Sequence, residues 1–219
     1  MNTVLRASPA VAVLADRLGA QEIRRRFWHF FPGIAVMAVP LVPHQEVVRL
    51  WVMLLVVTGG IILPALLAIR HQQGFVRYSQ EEISPSVFGY VIPLAILFLL
   101  FRGALEIPLA VAAIISFGDG SATLCGLLTR GPKLSWNPRK SVAGLFAFMT
   151  VGTVLATSLY WVEAGPQVSL LTSLLVVAPV VVICAFVESL PTKWNDNLTV
   201  GATASVLIVI QHALLVGAF

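Results

Sequence analysis

The chain has 219 residues, of which 58% are hydrophobic and 11% charged, and a net charge of +4; its mean hydropathy is +0.92. Soluble domains carry about 25% charged residues, so a water-facing globule is excluded for want of polar surface. The surplus of cations could suggest nucleic acid, but membrane topology explains their placement better, and no nucleic-acid partner is expected.

Residues 1–20 read as a leader, flexible or interfacial, ahead of a single domain over 21–219. Its apolar run, Pro9 to Ala15, is broken by Asp16 and Arg17 and is too short for the core of a cleaved signal peptide. Beyond it the apolar residues fall into blocks at 27–43, 47–69, 86–101, 104–117, 142–162, 168–188 and 198–217. A transmembrane helix needs about 20 such residues. The pattern predicts an all-α, polytopic integral membrane bundle of about seven helices. The third and fourth blocks are short and have Arg102 and Glu106 between them, so a tight hairpin and a partly re-entrant pair are both open.

With seven spans the loops alternate sides. Arg6, Arg17, Arg24, Arg25, Arg26, Arg70, Arg77, Arg130, Lys133, Arg139, Lys140 and Lys193 then share the N-terminal side, and only Arg49 and Arg102 face the other. The positive-inside rule makes the N-terminus cytoplasmic and the C-terminus external. Four polar segments, 21–29, 70–85, 118–141 and 188–197, come to one cytoplasmic face.

In the first segment, helical spacing lines up Glu22, Arg25, Arg26 and His29 on a stripe that continues to Gly33. A basic anchor with Trp28 in the aromatic belt is one reading, and a histidine helping to hold phosphate is the other. In the second, Glu81 and Glu82 precede Ser84-Pro85 as acidic residues do at a helix start.

The third segment is the most informative. Asp119 lies between Gly118 and Gly120, where the backbone can approach an anion or a hydrated metal, and an ordinary helix-end turn is the alternative. Lys133, Arg139 and Lys140 follow, able to neutralise phosphate, and Ser141 can cap the next helix. In the fourth, Glu188 closes one apolar block while Asp196 and Asn197 open the next. Glu188 reads as a snorkelling or a functional carboxylate, and Asn195 or Asp196 as an N-cap or, for Asp196, a second metal ligand. Cys125 and Cys184 are too few and too far apart for a zinc site or a disulfide framework, and read as packing residues.

Together these motifs resemble the membrane polyprenol kinase family, which includes dolichol, phytol and farnesol kinases and the CTP-dependent diacylglycerol kinase. The resemblance rests on Glu-x-x-Arg-Arg-x-x-His (Glu22 to His29), Gly-Asp-Gly-x-Ala-x-x-x-Gly (Gly118 to Gly126), Lys-Ser-x-x-Gly (Lys140 to Gly144) and Glu-Ser-x-Pro with Asp-Asn-Leu-Thr-Val (Glu188 to Val200). Ala143 and Leu145 depart from the pattern, standing where members commonly have glutamate and serine. The chain is shorter than the eukaryotic dolichol kinases, which favours a prenyl alcohol over dolichol.

The resemblance implies transfer of the terminal phosphate of a nucleoside triphosphate, CTP or ATP, to a lipid alcohol with Mg²⁺ as cofactor. It implies catalytic roles for Asp119, His29 and Glu188, with the general base open among them. Metal binding falls to Asp119, Asp196 and Asn197. Phosphate contacts fall to Lys133, Arg139, Lys140, Ser141, Arg25 and Arg26, with Gly118, Gly120 and Gly126 permitting close approach. A diacylglycerol kinase or a cytidylyltransferase making a CDP-lipid is the alternative. A transporter ranks lower, because its ionisable groups would line a pathway near the midplane.

Overall fold

The computed structural model describes residues 18–41 and 83–217, with isolated positions between them at 51, 54, 58, 59, 62, 66 and 70. Most of the span expected at 47–69, the loop at 71–82 and residues 1–17 of the leader lie outside the described residues. The elements, in chain order, are α1 (Ala20–Val36), α2 (Ile83–Leu100), α3 (Glu106–Ala113), a π-helical segment (Ile114–Asp119) and α4 (Gly120–Thr129). They continue with a hairpin of β1 (Lys133–Leu134) and β2 (Asn137–Ser141), then α5 (Val142–Ala164), α6 (Leu170–Ser189) and α7 (Asp196–Leu215).

Among the described residues four helices are long and apolar enough to cross a membrane: Glu106–Thr129, Val142–Gln167, Leu170–Ser189 and Asp196–Leu215. At about 1.5 Å per residue, 20 residues reach about 30 Å, the thickness of the hydrocarbon core. Large apolar side chains point outward, among them Leu171 (65% exposed), Phe146 (62%) and Val154 (63%). No water-soluble surface is built this way, and the chain is a membrane protein.

The termini of these helices follow from short polar residues. Ser141 caps α5, its Oγ accepting from Gly144 N at 3.0 Å. Ser169 caps α6 through Thr172 N at 3.0 Å, and Asn195 caps α7 through Asn197 N at 3.0 Å. Each side-chain oxygen satisfies an amide that the helix leaves without a partner. Asp196 is therefore the first residue of α7, free of the capping duty, and places its charge at the positive end of the helix dipole.

The block at 104–117 is not a short span. Helix runs without a turn from Glu106 to Thr129, and Gly118-Asp119-Gly120 lies inside it. Neither glycine takes a positive φ. Their missing side chains are filled by aromatic rings instead: a Cβ at Gly118 would meet Phe148 at 2.8 Å, and one at Gly120 would meet Phe30 at 2.6 Å. Tertiary packing here overrides the turn preference of glycine. This helix is the axis of the bundle, since every residue from Leu109 to Ser116 has 0% exposure, and α1, α2, α5, α6 and α7 pack around it.

α4 stops at Arg130, which adopts the left-handed conformation (φ 48°). The hairpin that follows, joined by Ser135 and Trp136, is antiparallel with Leu134 opposite Asn137. Among the described residues it is a small β element in an otherwise helical fold.

Candidate functional site

Charged residues of α1, the hairpin and the facing ends of α6 and α7 gather near Asp119 of the axial helix. From α1, Glu22 accepts from Arg26 Nε at 2.9 Å and from Arg25 Nη2 at 3.4 Å. Three residues after Arg26, one helical turn on, His29 reaches the π-helical segment. Its Nε2 lies 3.1 Å from the Ile115 carbonyl oxygen and 3.2 Å from Asp119 Oδ2. A carbonyl oxygen can only accept, so Nε2 carries the proton and donates, and the imidazole is held by both partners. A π turn spreads the backbone ladder and opens carbonyls to such outside donors. The ring also stands edge-on to Tyr90, centroids 5.8 Å apart, and Tyr90 hydrogen-bonds Ser116. Close approach of α1 depends on Gly33, where a Cβ would lie 2.7 Å from Ser116 Oγ.

The second half of the site is centred on Lys140. Its ammonium hydrogen-bonds Glu188 at the end of α6 and donates to Asp196 Oδ2 at 2.7 Å at the start of α7. Glu188 is 3% exposed, so its charge depends on that partner. Burial by itself lowers the affinity of the Lys140 amine for its proton, but the Glu188, Asp196 and Asp119 carboxylates outweigh it and hold the amine above its ordinary value. Lys140 is thus a cation, and Asp119 belongs to the same electrostatic field as Glu188 and Asp196. Arg26 lies within that field as well.

The two carboxylates that converge on one atom are accordingly Glu188 and Asp196, whereas Asp119 pairs with His29. Asn197 is present at the same helix start, with its amide bound to Asn195 Oδ1. Among the described residues no three His, Cys, Asp or Glu side chains converge as a ready-made metal cage. The carboxylates present are hard oxygen donors of the kind Mg²⁺ takes, one or two of them commonly sufficing with water and substrate phosphates completing its shell.

The other expected phosphate contacts divide. Lys133 and Arg139 are exposed on the hairpin and do not join Lys140. Ser141 is 5% exposed with its hydroxyl engaged in the α5 cap. Gly126 faces that hydroxyl, where a Cβ would lie 2.8 Å from Oγ, and at Gly144 a Cβ would lie 2.6 Å from the Ala122 carbonyl oxygen. These two glycines let the hairpin and α5 lie directly against α4.

The sequence reading gave no role to Tyr90, Ser116, Asn137 or Ser189, all buried and polar. A polar residue inside an apolar block was the available signal for Tyr90 and Ser116. It also missed a second polar cluster at the opposite helix ends, where Tyr160 OH lies 2.7 Å from His212 Nδ1 and Glu106 lies 3.9 Å from the same nitrogen.

Comparison with known proteins identifies a distant relative. The chain is 27% identical over 194 residues to phytol kinase 1, chloroplastic, of Arabidopsis thaliana, across 82% of its own length and 63% of that protein's. It therefore spans less than two thirds of the relative it matches. No protein-family model matches the chain, and no solved structure matches it significantly.

Proposed function

We propose that the protein is a membrane lipid-alcohol kinase, transferring the terminal phosphate of a nucleoside triphosphate to a prenyl alcohol such as phytol, geranylgeraniol or farnesol. The observation that carries this reading is the convergence of Lys140, Glu188 and Asp196 beside the His29–Asp119 pair, at one end of helices suited to hydrocarbon. The likeness to a phytol kinase supports the reaction class and the acceptor class. CTP is taken as the donor on the family resemblance.

Phosphoryl transfer asks a protein for positioning and charge neutralisation more than for covalent chemistry. Lys140 is placed to exchange part of its carboxylate partnership for phosphate oxygens, with Arg25 and Arg26 adding positive charge from α1. Asp119 and Asp196, with Asn197 and Glu188 in support, would hold Mg²⁺. The chemistry this ion supplies when bound is neutralisation of charge shared by the transferred group and the leaving diphosphate. His29, fixed by Asp119 and Ile115, closes the site on the α1 side. The acceptor hydroxyl enters from between the helices while its chain stays in hydrocarbon. The positive-inside argument puts this end on the cytoplasmic face.

The test is to incubate purified protein with Mg²⁺, labelled CTP or ATP, and a panel of prenyl alcohols, dolichol and diacylglycerol. A phosphorylated lipid is the expected product. Formation of a CDP-lipid from a lipid phosphate, with no phosphorylated alcohol from any pair, overturns the kinase reading in favour of a cytidylyltransferase.

A further inference from the structure

The hairpin that carries Lys140 is only nine residues long, 133–141, and an isolated two-stranded hairpin is marginal in stability. Besides the buried Leu134 and the Lys140 pairing, polar contacts outside the catalytic and metal assignments fasten it to the bundle. Asn137 is 5% exposed and Ser189 0%. Asn137 Nδ2 donates to the Ser189 carbonyl oxygen at 3.1 Å, and its Oδ1 accepts from Arg139 N at 3.1 Å. Trp136 Nε1 donates to Ser189 Oγ at 3.1 Å, and that hydroxyl donates to the Phe186 carbonyl at 2.7 Å. The hairpin turn is thereby fastened to the last turn of α6, one residue beyond Glu188.

A lysine ends in a point charge on a flexible four-carbon stem, so the place its ammonium occupies depends on where its backbone is held. Asn137 holds that backbone in two ways. One amide end grips α6, and the other bonds the strand two residues on, in the manner of an Asx turn. With Arg139 N fixed, Arg139 stays outside and Lys140 turns in toward Glu188 and Asp196.

We propose that Asn137 is a positioning residue for Lys140, acting through Ser189 to set where the ammonium meets phosphate. The phosphate role of Lys140 rests on the kinase reading above; the seat itself does not.

Asn137→Asp keeps the acceptor, removes the donor and adds a carboxylate charge, while Asn137→Ala removes both groups and adds none, so a change shared by the two variants reports the lost bond and not the added charge. In the phosphoryl-transfer assay, Asn137→Asp lowers kcat/KM for the nucleotide by about three- to tenfold, the range for one net hydrogen bond, while the KM for the lipid alcohol stays within about twofold. Placed on a Lys140→Ala background it costs less than about twofold more, because residues acting through one another are not additive. An equal cost on both backgrounds, or no cost, overturns the proposal.

A second measurement is independent of activity: acetylation of Lys140 in the full chain, followed by mass spectrometry with Lys133 and Lys193 as internal references. Release of the seat speeds Lys140 modification in Asn137→Asp relative to those lysines. An unchanged ratio in a variant that keeps its thermal unfolding temperature overturns the proposal, even where the wild-type chain phosphorylates no lipid and the kinase reading has failed separately. Should Asn137→Ala not fold, Asn137→Asp and Ser189→Ala carry the test. The latter removes the bond from Trp136 and the one to the Phe186 carbonyl but keeps the Ser189 carbonyl that Asn137 grips, and is expected to show a smaller change in the same ratio.

Discussion

Lys140 Nζ stands 2.7 Å from Asp196 Oδ2, tying a β-strand to the first turn of the last helix. The same ammonium pairs with Glu188 on a third element, so one cation links the hairpin, α6 and α7. Its loss therefore bears on stability and on chemistry together.

Lys140→Met leaves the buried Glu188 carboxylate without its cation and is expected to destabilise the protein by about 3–5 kcal/mol. Adding Glu188→Gln in the same chain removes the stranded charge and restores most of that loss, read as the thermal unfolding midpoint in detergent. A double variant no more stable than Lys140→Met would mean that the pair is not what holds these elements. The contribution of the Lys140 amine itself is robust to pH. An amine raised above its ordinary 10.5 gives stability that is complete below that value and fades only as pH climbs past it. Between pH 7 and 10 this group is expected to leave the midpoint flat.

The His29–Asp119 contact predicts shared action. Asp119→Asn preserves shape and removes charge, so phosphoryl transfer falls by at least about a hundredfold with a small change in unfolding temperature. His29→Ala in addition costs little more than either change alone, as for residues that act as a unit. Full additivity of the two losses in kcat/KM would separate their roles.

Gly144 faces the Ala122 carbonyl oxygen, where an added Cβ would lie 2.6 Å away. Backbone cannot swing aside as a side chain does. Gly144→Ala is expected to force α5 from α4 and lower stability by about 1–3 kcal/mol, the usual cost of overpacking. A control at Gly131, where a Cβ would meet nothing nearer than 3.8 Å, is expected to have a much smaller effect. Equal unfolding temperatures for both variants and the wild type would refute the close-approach account.

The topology argument places residue 135 inside and residue 217 outside. Single cysteines introduced at Ser135 and Gly217, with Cys125 and Cys184 replaced, are to be labelled in intact cells with a membrane-impermeant reagent. Labelling is expected at 217 and absent at 135, and the reverse pattern would invert the bundle.

The amino-acid sequence by itself carries the membrane class, the lengths of most helices and the charges that gather at one end. All three depend on composition and spacing within a segment. Blocks 142–162, 168–188 and 198–217 foretell α5, α6 and α7 to within a few residues, since hydrocarbon thickness dictates their length. Gly118-Asp119-Gly120 shows where such reading stops. Locally it suggests a turn, yet Phe30 and Phe148, distant in the chain, fill the space above the two glycines and make helix the better-packed state. Partnership among the carboxylates was likewise beyond local reading. The sequence offered Lys140 as a phosphate contact and Glu188 as a snorkelling or functional carboxylate, and only the packing of the hairpin, α6 and α7 brings Glu188 and Asp196 to that one lysine. Which charges meet is decided by how helices pack, and that depends on side-chain volumes from every segment at once.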